Sequence, residues 1–448
     1  MEATEEDTQS FAADVRRFLD AHATRRPVRD RSASGFTWGE GDDRMAYFSA
    51  APPEDEAREV QRAKDWQRTR YEAGFGWITG PAEYGGRGLT PVHDLVYDAI
   101  ESEYDVPDTG TLDVIGLGMI GPTILAHAQQ RVRDRWLPAM YRGDVIACQL
   151  FSEPGAGSDL ASVETRAVRD DGGNDGGRAT GDWILNGQKV WTSVAQHAGI
   201  GLALTRTNPD APKHRGITAF LVEMDAPGVQ IRPLRQMTGG ADFNEVFLTD
   251  VRVPDEHRLG EVDGGWTVAL TTLMNERATV GSEGAGPVAG ALSPDRLAAL
   301  MRATGTMDDR AVRARLGELL ADVMATEFLN ARTARRLRAG VAPGPELSVS
   351  KLMYGQNLTR AAHFVADVLG PRVIADTGRW GTFAWAELLL ATPALRILGG
   401  TEEIMKNILA ERVLGLPKEP GVDTKSPFRE LRRSGASAGA GAATGGAA

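Results

Sequence analysis

Residues 183–193 read WILNGQKVWTS. Trp, Ile, Val and Thr favour extended backbone, so the stretch reads as strand. Asn186-Gly187 stands between two short β-prone runs, the strongest local signal for a hairpin turn. GIGLALTRT, GITAFLVEMD and NEVFLTDVRVP continue the pattern. Residues 148–258 therefore read as a β domain, a barrel or sandwich by strand count. Between its strands, RDDGGNDGGRATGD is a polar, glycine-rich loop.

On either side the period becomes helical. In residues 1–147, EEDTQSFAADVRRFLDAHA and EAREVQRAKDWQRTRYEAGF are amphipathic, and the second ends near a glycine. In residues 259–417, LAALMRATG, RARLGELLADVMATEFLNARTARRLRAG and SVSKLMYGQNLTRAAHFVADVLG have helical spacing and close on glycine. Gly415 and Pro417 stop the last helix. From 418 to 448 the chain runs into SGASAGAGAATGGAA, too poor in apolar residues to fold, so a disordered tail is expected. The chain is thus α+β and multidomain, in the order helices, strands, helices.

Composition excludes several classes. Of 448 residues, 42% are hydrophobic and 25% charged, ordinary values for a globular protein. No apolar run approaches membrane-spanning length, and the acidic, amphipathic N-terminus is unlike a signal or transit peptide. A cytoplasmic protein without membrane attachment is expected. Cys148 is the single cysteine, so no intrachain disulfide or cysteine-based metal cluster can form. A net charge of −11 argues against nucleic-acid binding.

Two segments point to a ligand. QLFSEPGAGSDLAS (149–162) lies where helices give way to strands. Its Gly155, Gly157 and Ser158 let backbone N–H groups approach a ligand closely. Trp191, Thr192 and Ser193 end a strand with an indole and two hydroxyls, which suits a flat aromatic group with a polar rim. Each segment alone is weak, and Trp191 by itself reads as a core residue.

Taken together, SEPGAGSD, GQKVWTS, FNEVFLTDVRVP and GGTEEI…NILAERVLGLP, with YGGRGLTP and GMIGPTILAH upstream, resemble the acyl-CoA dehydrogenase family over roughly residues 8 to 417. The resemblance implies an N-terminal helical domain, a middle β domain and a C-terminal four-helix bundle. It implies FAD between the last two, near a subunit interface. The implied reaction is α,β-dehydrogenation of an acyl thioester carried by CoA or an acyl-carrier protein, with electrons passing to an electron-transfer flavoprotein. By resemblance, Gln149, Leu150, Ser152 and Gly157 line the cofactor with Thr192 and Ser193, Trp191 stacks on the flavin, and Gly400, Thr401 and Glu403 lie near it. Ser158 faces the CoA end, and Arg277 lies on the substrate side. A homodimer or homotetramer is implied, and some relatives form mixed oligomers.

The base needs separate treatment. Many family members carry a glutamate directly before the Gly-Thr of the last motif, where this chain has Gly399. Glu402 and Glu403 fall in the first turn of a helix, whose dipole favours ionised, weakly basic acids. In GGWTVALTTLMNERATVG (264–281), Glu276 shares a helical face with Ala269, Leu273 and Val280. A carboxylate on an apolar stripe loses hydration, which raises its proton affinity. Branched-chain and long-chain members of the family place their base here, before an arginine. Without the family, a buried Glu276–Arg277 pair is the preferred reading; with it, Glu276 is the expected base. The family also uses the N–H at the Gly399 position to bond the thioester oxygen, and the missing side chain widens the pocket for a bulky acyl group.

Two departures bear on the cofactor. The Arg-Phe-Gly element that many members place after this helix is missing from SEGAGPVAGALSPDRLAALMRATGTMDD. ADVLGPRVI, with Asp367 and Pro371, replaces the family's glutamine and paired glycines. The expectation is then that FAD is held differently, weakly, or only with a partner chain. Two alternatives stand beside the dehydrogenase: a flavin oxidase or N-monooxygenase that uses oxygen, and a silent subunit that completes a partner's FAD site.

Overall fold

A computed structural model describes residues 5–26, 53–171, 181–282, 289–338, 344–374, 382–418 and 425–431. The N-terminal part contains α1 (Glu5–His22), α2 (Pro53–Glu72), α3 (Pro91–Glu101), α4 (Gly121–His127) and α5 (Gln130–Tyr141). α3 starts at a reciprocal cap between Thr90 and His93, with Pro91 in the first turn. Phe11, Phe18, Trp66, Phe75 and Tyr97 form the core of α1–α3. α4 and α5 send Ile124, Trp136 and Leu137 against the sheet.

The middle part is an eight-stranded sheet. Its strands are β1 (Ala147–Leu150), β2 (Arg166–Arg169), β3 (Trp183–Ser193), β4 (Ile200–Arg206), β5 (Ile217–Glu223), β6 (Val229–Leu234), β7 (Phe243–Val253) and β8 (Arg258–Leu259). The order is β8-β5-β4-β2-β3-β7-β6, with β1 parallel to β4. β4 is buried at every position. Leu202 and Leu204 meet the helices on one face, and Ala203 joins Phe220 and Val246 in a second core. Burial on both faces explains why this strand is apolar almost throughout.

The expected hairpin at Asn186-Gly187 is not formed. β3 is a single strand antiparallel to β7, with register shifts between Leu185 and Gly187 and between Lys189 and Thr192. The Asn186 amide donates to Asp250 Oδ1 and accepts from the Asp250 N–H, both at 2.9 Å. A Cβ at Gly187 would stand 2.4 Å from Thr165 Oγ1. Glycine is required here by the close approach of a neighbouring segment, not by a turn. Most of the polar loop at 169–182 lies outside the described residues.

The C-terminal part contains α6 (Gly265–Ser282), α7 (Pro294–Thr304), α8 (Arg310–Arg338), α9 (Ser348–Leu369), α10 (Thr382–Leu395) and α11 (Glu402–Ile408). α9 touches α6, α8 and α10, making the four-helix bundle. Leu319, Leu358, Phe364, Val365, Trp385 and Leu388 lie in its core. α6 is also fastened to the N-terminal part: His127 Nε2 and Thr271 Oγ1 are 2.8 Å apart, and Thr123 and Thr272 Oγ1 are 3.1 Å apart. No helix among the described residues is long and apolar enough to cross a membrane.

Residues 425–431 correct the expectation of a disordered tail from 418 onward. The Phe428 N–H donates to Ala211 O at 2.9 Å and the Arg429 N–H to Pro209 O at 3.0 Å. The Arg206 guanidinium lies 3.9 Å from the Phe428 ring centre, a cation–π contact that offsets the cost of burying the arginine. Residues 419–424 and 432–448 of the expected tail lie outside the described residues.

Candidate active site

β1 delivers buried Leu150 and half-buried Gln149 to the start of the glycine-rich loop. The Val190 N–H donates to Ser152 O at 2.9 Å, tying that loop to the end of β3. Beneath them Lys189 is fully buried, its Nζ bonded to Glu153 Oε1 (2.7 Å), Leu204 O (2.6 Å) and Phe151 O (3.2 Å). Glu153 also accepts from the N–H groups of Glu164 (2.6 Å) and Thr165 (2.9 Å). Burial pushes the Glu153 carboxyl up, but Lys189 and these donors outweigh it and hold it below the ordinary carboxylate range. A satisfied buried pair thus fixes both ligand segments.

The second bulge of β3 turns Trp191 outward, with φ +60°. Its indole is 62% exposed and meets Phe243 edge-on at 6.0 Å. The core reading of Trp191 therefore fails, and the exposed indole leaves a face for a flat ligand. Thr192 Oγ1 is buried without a hydrogen-bond partner among the described residues. Gly157 and Ser158 are exposed, and a Cβ at Gly157 would meet nothing within 4 Å. An exposed indole, an orphaned hydroxyl and an open glycine loop fit an isoalloxazine ring and its polar edge. Ser152 and Ser193 are half-buried beside them.

A second cluster sits in the bundle. Gly399 has φ +67°, and a Cβ there would lie 3.3 Å from Glu276 Oε1 and 3.6 Å from Lys351 Cε. The absent side chain and the mid-bundle carboxylate thus border the same space. Glu276 is half-buried on α6, below buried Ala269 and partly buried Leu273. The side chains of Arg277 and Val280 lie outside the described set. Thr401 caps α11 by accepting from the Ile404 N–H at 3.2 Å. Glu402 is buried, receives Arg396 in two bonds (2.6 and 3.1 Å), and accepts from Gln356 at 3.3 Å. Arg396 holds the Glu402 carboxyl below its ordinary range, the environment of a structural anion. Glu403 is exposed.

Three family profiles match the chain in order: acyl-CoA dehydrogenase N-terminal domain at 44–144, middle domain at 148–251 and C-terminal domain at 263–414. The chain belongs to the acyl-CoA dehydrogenase family. These enzymes are oxidoreductases acting on CH–CH bonds. Acyl-CoA dehydrogenase FadE34 of Mycobacterium tuberculosis is 42% identical over 341 residues, which is 75% of this chain but only 44% of FadE34. Acyl-CoA dehydrogenase IpdE1 of the same organism is 38% identical over 370 residues, covering 82% of this chain and 90% of IpdE1. Among solved structures, the Tcur3481-Tcur3483 steroid ACAD superimposes with a TM-score of 0.70 at 24% identity, over 94% of this chain and 100% of that one.

Sequence reading missed the residues that hold these two clusters. In a strand or helix pattern, a lysine reads as solvent-facing. Yet Lys189 is fully buried, and Lys351 of α9 is 4% exposed, bonded to Gly400 O (2.7 Å) and Leu395 O (3.3 Å). Asp367, one of the replaced cofactor positions, accepts from Arg315 at 2.6 Å on an exposed surface.

Proposed function

We propose that this acyl-CoA dehydrogenase carries out FAD-dependent α,β-dehydrogenation of a bulky acyl thioester, with Glu276 as base. The observation that carries the reading is the closeness of Glu276 Oε1 to the space above Gly399. Leu150, Ser152, Trp191, Thr192 and Ser193 would hold the flavin, and Ser158 would lie toward the CoA end. FAD, when bound, supplies the hydride acceptor for the β hydrogen. Glu276 takes the α proton, and the Gly399 N–H donates to the thioester oxygen as negative charge develops on it. With no side chain at Gly399, only one carboxylate borders the α carbon, which avoids a like-charge pair. The open corner and the steroid enzyme among the solved relatives both favour a ring-bearing or branched acyl group. An electron-transfer flavoprotein is the proposed acceptor.

A second reading has the chain working within a mixed oligomer. The replaced elements at Asp367 and Pro371, and the pairing of two gene products in the name of the steroid relative, favour it. Purified alone, the protein either shows a bound-flavin spectrum or needs a second chain to retain FAD. Adding acyl-CoA thioesters without oxygen then bleaches the flavin if the dehydrogenase reading holds. Glu276→Gln should bind FAD and thioester yet leave the flavin oxidised. Turnover at the parental rate in that variant refutes the base. Reoxidation by air faster than by an artificial acceptor would instead indicate an oxygen user.

A further inference from the structure

Lys351 is a buried cation whose described hydrogen bonds go to neutral carbonyls, Gly400 O at 2.7 Å and Leu395 O at 3.3 Å. Those carbonyls flank the turn that carries Gly399. The Lys351 Cε and Glu276 Oε1 both border the space a Gly399 side chain would fill, at 3.6 and 3.3 Å from its Cβ position. A buried ammonium needs compensating negative charge. Burial pulls the Lys351 ammonium below its ordinary range, while Glu276 and then Glu402 act in the opposite direction. Glu402 already receives Arg396 in two bonds.

Several ionisable groups on the elements packed against α6 have partners elsewhere; on α9, Arg360 pairs with Asp322 and Asp367 with Arg315. His127 bonds Thr271, Asp113 lies 3.8 Å from Arg70, and Glu223 lies 2.9 Å from Arg135. Lys213 lies 2.9 Å from Asp159, Glu346 pairs with Arg336, and His214 meets Trp266 edge-on. Arg277 follows the base on α6 itself.

We infer that Lys351 is a positioning residue for the reaction: one buried cation both pins the Gly399–Gly400 turn and keeps the neighbouring Glu276 ionised and aimed at the substrate. This rests on the reading of Glu276 as base. An opposite charge within about 4–6 Å lowers a carboxylate's pKa by roughly 1–3 units. Removing it should therefore move the pH midpoint of α-proton removal upward by about that amount.

The test follows flavin bleaching by an acyl-CoA thioester without oxygen, as a function of pH, in the FAD-loaded enzyme. Lys351→Gln keeps a donor for Gly400 O but removes the charge, and its midpoint should rise by at least about one unit. Lys351→Arg should return it toward the parental value. Should Lys351→Gln fail to fold, Lys351→Met preserves the stem and carries the same comparison. The Glu276 carboxyl resonance, identified as the carbon-13 signal missing from Glu276→Gln, should shift its titration midpoint in parallel without any turnover. Parental midpoints in the uncharged Lys351 variants, with bleaching lost in Glu276→Gln, overturn the role of Lys351 and leave the base standing. Bleaching that survives Glu276→Gln removes both.

Discussion

Replacing Gly399 by alanine puts a methyl group into the space bordered by Glu276 and Lys351. The backbone there has φ +67°, a left-handed conformation that costs a residue with a Cβ about 1–2 kcal/mol. The new Cβ would sit 3.3 Å from Glu276 Oε1 and 3.6 Å from Lys351 Cε. The second distance is ordinary contact. The first is tight enough to displace the carboxylate by a few tenths of an ångström. A misplacement of about 1 Å in a reacting group costs roughly 100-fold, so a shift of this size should slow α-proton removal about 3- to 10-fold. Rapid mixing of the FAD-loaded variant with saturating acyl-CoA, without oxygen, reads that rate as loss of flavin absorbance. Thermal unfolding reads the backbone cost in parallel. A parental bleaching rate at saturation refutes the placement of Glu276 against Gly399, whatever happens to the melting temperature.

Trp191→Ala should change the stability of the flavin-free protein by less than about 0.5 kcal/mol, because the indole is exposed, yet weaken FAD binding about tenfold through lost stacking; fluorescence titration and melting separate the two. Glu153→Gln leaves Lys189 buried without its anion and should cost roughly 3–5 kcal/mol at neutral pH. Because the Glu153 carboxyl is held below its ordinary value of 4.5, its contribution is complete above that pH and fades as pH falls through the lowered value. Melting curves between about pH 3 and 7 should therefore fall more steeply in the parent than in the variant on the acid side. Phe428→Ala removes the ring over Arg206 and should cost about 0.5–2 kcal/mol, with faster proteolysis near residue 428; unchanged melting and cleavage would show that the segment contributes nothing.

Periodicity made the layering legible: runs of 3.6 and of 2 reflect which faces are buried, and burial is what arranges these domains. Local turn signals were less informative. Asn186-Gly187 has the composition of a hairpin, but only Thr165, distant in sequence, shows that the glycine serves close packing. Trp191 reads as core because large indoles usually are, and the bulge that exposes it depends on pairing with β7. Glu276 and Gly399 were joined as a candidate site only through family resemblance, and the fold sets the Glu276 carboxylate beside that glycine. Lys351 and Lys189 gave no sign in sequence, since burial of a lysine is decided by carbonyls and carboxylates brought in from other segments. KSPFREL has only two large apolar side chains, Phe428 and Leu431, too few to signal docking without the partner Arg206.

The clasp of Phe428 and Arg429 on residues 209–211 has a consequence for assembly. Those clasping residues follow the whole bundle in the chain, so during synthesis the loop at 209–211 waits uncovered until the bundle has emerged. Arg206, which bonds the carbonyls of Ala161, Val163 and Lys213, gains its aromatic lid only at that stage. The loop at 209–211 and the Arg206 site beneath it should therefore be among the last parts of the sheet to reach full rigidity.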